Sequence, residues 1–154
     1  LYVILMSLAL MGVVWIISGF VPPNPLSALL ILILEGLTVL SATLLGSTLF
    51  STLANGVVVF MLYGVAFIGG WVEQIGVMVN SQVARDLGIV SSLLLPSEAL
   101  WRLAASCLQP PGLMGSITPF AVASQPTPAF VVYSTFYVLG LLGIGMRVFG
   151  RRDF

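Results

Sequence analysis

The chain has no histidine, no lysine and a single cysteine, and only ten of its 154 residues are charged. Each shortage removes a class of chemistry. Without histidine, the commonest general base and metal ligand is gone. Without lysine there can be no P-loop, whose lysine must reach the nucleotide phosphates. Cys107 cannot close an internal disulfide and reads as a small apolar filler. Charged residues make up 6% of the chain, against about 25% in soluble domains. Such a surface is not built to meet water. With five arginines balanced by five acids, the net charge is zero and no nucleic-acid footprint is present.

What remains is apolar: 59% hydrophobic residues and a mean hydropathy of +1.16. These values predict an all-α, multi-pass helical membrane bundle. The first run, residues 1–21, is long enough for one crossing and ends at Pro22, Pro23 and Pro25, since proline cannot continue a helix. It has neither an initiator methionine nor the basic flank and cleavage site of a signal peptide, so it reads as a span inside a longer protein. From Leu26 to Val72 the one charge is Glu35. A single helix of that length would reach about 70 Å, more than twice a bilayer core. The run therefore predicts two crossings, residues 26–50 and 53–72, with the break in the Ser51 to Gly56 stretch, where Asn-Gly signals a turn.

Thr43, Ser47, Ser51 and Asn55 recur every four residues and would share one face. Small and hydroxylated residues at that spacing mark helix contacts in lipid, or else line a pathway. Glu35 is either an interfacial residue kept solvated or a polar contact in a transport pathway, because intramembrane acids are costly and face cavities.

Half of all the charge lies between Trp71 and Arg102: Glu73, Arg85, Asp86, Glu98 and Arg102. Ile75, Val79, Val83, Leu87, Val90 and Leu94 recur at three- and four-residue spacing, opposite a set of polar residues, which predicts an amphipathic helix over about 73–95. Pro96 closes it, and Ser97 and Glu98 suit the start of a second helix over about 97–108. Asp86 falls at the edge of the apolar stripe, where it is either solvated or paired, and Arg102 is its best local partner. Residues 109–128 hold five prolines and no charge and read as an extended loop. The last crossing, 129–149, carries Tyr133 and Tyr137 towards its outer end. Arg147, Arg151 and Arg152 at its close place the C-terminus in the cytoplasm and the amphipathic pair outside.

The hairpin with its polar stripe, the GWVEQIG opening, the run DLGIVSSLLLPSEALWR and the RRDF ending together resemble a known family. They are similar to the C-terminal two-thirds of the permease subunit of ABC-2-type ABC transporters. The likeness runs from about Leu26 onward. Members have six membrane helices, with short re-entrant or amphipathic helices on the extracytoplasmic side between the fifth and sixth. The resemblance implies that the four spans here are the third to sixth of a plasma-membrane exporter subunit. It implies a second permease subunit, surrounding lipid and a separate ATPase that holds the ATP and magnesium. No catalytic or cofactor-binding residue follows from it. A secondary transporter or channel, an integral-membrane enzyme and a non-transporting scaffold are the competing readings. The scattered acids form no convergent acid/base or metal set.

Overall fold

A computed structural model describes residues 1–109 and 126–150, and everything regular among them is helical. The helices are α1 (Tyr2–Ser18), α2 (Pro25–Leu49), α3 (Thr52–Met78), α4 (Gln82–Leu94), α5 (Ser97–Leu108) and α6 (Ala129–Phe149). Three of them, α2, α3 and α6, are long and apolar enough to cross a membrane. The expected first crossing is shorter than the sequence suggested. Gly19 turns left-handed (φ 65°) and its N–H closes on the Trp15 carbonyl, which ends α1 after 17 residues. At 1.5 Å per residue that is about 25 Å, at the short end of the range for a crossing. The expected loop lies mostly at residues 110–125, outside the described residues, as do Arg151 and Arg152.

The interior is polar and the exterior apolar. Thr38, Ser41, Glu73, Ser92, Glu98, Arg102 and Ser134 are buried, while Leu30, Leu40, Phe60, Ile68, Phe136 and Leu139 are exposed. In water this arrangement would leave an apolar surface far beyond what a soluble monomer tolerates. In lipid it is the expected one, because small and polar contacts, not hydrophobic burial, bring helices together. The protein is a helical membrane bundle.

Helices α2 and α3 form an antiparallel hairpin broken at Phe50–Ser51, earlier than the Asn-Gly pair, which lies inside α3. Helix α6 runs alongside α2 in the same direction: Leu44, Leu45, Ser47 and Thr48 face Leu141, Leu142, Gly145 and Met146 across a shared groove. Helix α3 continues to Met78, so residues 73–78 belong to it and not to the amphipathic helix expected over 73–95. Asn80 takes a left-handed conformation (φ 54°). The Ser81 N–H reaches the Gly76 carbonyl at 2.8 Å and the Asn80 N–H reaches that of Val77 at 3.3 Å. This is a Schellman closure with asparagine in the position usually held by glycine. Ser81 then caps α4 by accepting from the Ala84 N–H.

Helix α4 folds back along α3 with almost no space between them. Gly76 faces Ala84, Gly88 faces Glu73 and the Gly69 carbonyl, and Gly69 faces Ser91. After Leu95 and Pro96 the chain turns by 103° into α5. Helix α5 ends against the start of α2, where the Asn24 N–H donates to the Cys107 carbonyl at 3.2 Å. The start of α2, the end of α3, the end of α5 and the start of α6 thus share one end of the bundle. The pair α4–α5 enters and leaves at that end, and it adds no crossing.

Candidate functional site

The buried charge collects where α3 and α5 meet. Arg102 Nη2 lies 2.7 Å from Glu73 Oε2, and Arg102 Nε lies 3.9 Å from Glu98 Oε1. The first contact is a charge-assisted hydrogen bond; the second is too long to be one. All three residues are nearly closed off, at 8% exposure for Glu73, 5% for Glu98 and 2% for Arg102. Glycine makes the room. A side chain at Gly70 would overlap Glu98, and one at Gly88 would overlap Glu73. Arg102 Nε and Nη1 are buried and have no hydrogen-bond acceptor. Glu35, half-buried on α2, acts electrostatically on Glu98.

The suggested tie between Asp86 and Arg102 is corrected by this geometry. Arg102 turns inward to Glu73 and Glu98, whereas Asp86 is exposed on α4 and belongs to neither ion pair among the described residues. The other charge on that helix, Arg85, donates to the Gly76 carbonyl and to Asn80 Oδ1 at the hairpin tip. Ser97 does not cap α5 as its position suggested. Pro96 occupies the cap position, and the Ser97 hydroxyl is buried without a partner.

The stripe of four polar residues is also rearranged. Because α2 ends at Leu49, only Thr43 and Ser47 lie on it; Ser51 is at the break and Asn55 is on α3. The hairpin nevertheless brings two of them together. Asn55 Nδ2 donates to the Thr43 carbonyl at 3.0 Å, with its side chain packed on Gly46. The Thr43 and Ser47 hydroxyls are taken up by carbonyls of their own helix, at Val39 and Leu44. Thr43 and Asn55 form a helix contact, while Ser47 and Ser51 are exposed. Glu35 is the eleventh residue of α2, two residues from its midpoint.

On α4 the predicted apolar stripe is present but turned outward. Val83, Leu87, Val90 and Leu94 are exposed, and Gly88, Ser91 and Ser92 are buried. Tyr133 and Tyr137 of α6 lend it further support. Their hydroxyls donate to the Leu93 and Leu94 carbonyls, each at 2.7 Å, satisfying acceptors that a helix end leaves open. Glu73 is the site residue that sequence reasoning passed over. Its signal was the placement of an acid three residues after the Gly69-Gly70 pair, on what is now the inner face of α3.

Among the described residues, no group of three or more histidine, cysteine or acidic side chains could hold a metal ion. The chain matches no protein-family model, no curated protein and no solved structure.

Proposed function

We propose that this chain is the permease portion of an ABC-2-type ABC exporter in the plasma membrane, working in a dimer and driven by a separate ATPase. The observation that carries the proposal is the α4–α5 pair, which enters and leaves at one end of the bundle between the last two crossings. That is the placement the resembling family gives to its re-entrant helices. The amphipathic pair then belongs at the extracytoplasmic side, and the end of α6, with Arg147, at the cytoplasmic side.

On this reading α4 and α5 form the outer gate. The exposed apolar face of α4 meets acyl chains, and its serines and glycines meet α3. The ATPase supplies the free energy, and the permease supplies two conformations of different substrate affinity. The test is affinity purification of the full-length gene product from its native membrane. An ATPase that copurifies, and whose hydrolysis responds to the permease, supports the reading. A full-length product that transports without any ATPase would sink it.

A second reading has its own observation. Ion-coupled secondary transporters carry ionisable residues within the membrane, paired with one another. The Glu73–Arg102–Glu98 cluster fits that description. Transport in sealed vesicles discriminates the two: the first needs nucleotide, and the second collapses when an ionophore removes the ion gradient.

A further inference from the structure

The cluster at α3 and α5 contains more acid than it can neutralise. Among the described residues Arg102 is the one cation there, and it is committed to Glu73 at 2.7 Å. Glu98 is left 3.9 Å from the guanidinium, inside the bundle, with its side chain packed on Gly70. Helix α2 presents Glu35, and α3 presents Glu73 and Tyr63, whose hydroxyl group feels both Glu35 and Glu98. The charged residues of α4 are at its outer tip, Arg85 bonded to Gly76 and Asn80 and Asp86 exposed. On α6 the Tyr133 and Tyr137 hydroxyls are given to carbonyls. No second cation reaches Glu98 among the described residues.

An ionised carboxylate in such a place carries a desolvation cost of several kcal/mol, which Arg102 at 3.9 Å offsets only in part. Binding a proton removes that cost, provided no cation moves in first. A cation is available but not bonded to it: Arg102 Nε lies 3.9 Å from Glu98, and neither Nε nor Nη1 has an acceptor. We propose that Glu98 is a proton-binding site in the interior of the bundle, kept neutral while Arg102 is committed to Glu73. Losing the proton draws Arg102 towards Glu98 and loosens its hold on α3. The site couples proton occupancy to the contact between α3 and α5. It stands apart from the permease reading, since a chain that never meets an ATPase would bind the same proton.

The sequence contains only three glutamates, Glu35, Glu73 and Glu98. Carbon-13 labelling of glutamate side-chain carboxyls in this 154-residue chain, reconstituted in bilayers, therefore gives three signals in solid-state NMR. The expected result is an acid-form carboxyl at neutral pH that is lost in Glu98→Gln and kept in Glu35→Gln. The second variant decides the matter if the first does not fold. In Glu73→Gln the freed Arg102 should pair with Glu98, lowering its proton affinity about tenfold or more and moving its titration down by a pH unit. Three ionised carboxyls at neutral pH, no acid-form signal remaining in Glu35→Gln, or an unmoved titration in Glu73→Gln would each overturn the proposal.

Discussion

Replacing Arg102 by methionine keeps the length of the side chain and removes its charge and donors. Glu73 then loses the partner at 2.7 Å and Glu98 loses the one nearby cation. Breaking a buried ion pair from one side costs about 3–5 kcal/mol, most of it the penalty of the charge left behind. Arg102 is 2% exposed, so solvent screening offers little relief. For a chain of this size such a loss lowers Tm by roughly 6–20 °C, at about 2–4 °C per kcal/mol. Removing both charges of the closer pair, in Arg102→Met with Glu73→Gln, leaves only Glu98, which a proton neutralises, and should recover most of the loss. A double-mutant cycle read by thermal or denaturant unfolding in mixed micelles measures this directly, with a coupling of at least about 2 kcal/mol expected. Asp86→Ala in parallel should stay within about 0.5 kcal/mol of the parent, as exposed substitutions do. If Arg102→Met were no worse than Asp86→Ala, or if the two changes at 102 and 73 simply added, the ionic cluster would not be what holds α5 to α3.

Gly88→Val should fail to fold or lose several kcal/mol, because the added Cβ meets the Gly69 carbonyl and Glu73 backbone atoms, which cannot turn aside; protease resistance reads this out. Gly140→Ala meets nothing within 4 Å and should be neutral or stabilising by up to about 1 kcal/mol in the same assay. Asn55→Ala removes the bond to the Thr43 carbonyl and should cost about 1–2 kcal/mol, measured as a fall in Tm. In a background with Cys107 replaced by serine, a cysteine at Gln82 and one at Gly150 should react with an impermeant thiol reagent from opposite sides of sealed membranes. Labelling of both from one side would contradict the parallel course of α2 and α6.

The three crossings were legible because nothing competes with a long apolar run bounded by proline or a polar turn. Helix α5 was legible from Pro96 and Glu98, although Ser97 does not cap it. The division between α3 and α4 was not, because its closing residue is Asn80, and asparagine in a left-handed position is a weaker signal than glycine. The direction of the α4 stripe was hidden for a different reason. Periodicity reports that one face is apolar but not whether that face meets protein or lipid. Deciding needed the neighbours, and the close-set glycines at 69, 76 and 88 turned the small face inward. The partner of Arg102 was equally out of reach. Asp86 is nearer in sequence, but Glu73, 29 residues away, becomes adjacent only after a reversal at Asn80 and a 103° turn at Pro96.

Which contacts can give way follows from how each element is fastened. In lipid, apolar surface provides no force between helices, so hydrogen bonds and backbone proximity set their register. Helices α3 and α4 are interlocked through Gly69, Gly76 and Gly88 at distances that leave no room for sliding, so they move as one body or not at all. Helix α5 is held differently. Besides the packing of its buried Ala99, Leu100, Leu103 and Ala104 and the fit of Glu98 on Gly70, it has discrete polar links: Arg102 to α3, the Cys107 carbonyl to the start of α2, and, just before the bend, the Leu93 and Leu94 carbonyls to α6. Discrete links can be exchanged one at a time, as interleaved backbones cannot. Among the polar links at this end of the bundle, the one whose partner can change without leaving the interior is that of Arg102, with Glu98 one turn away on its own helix.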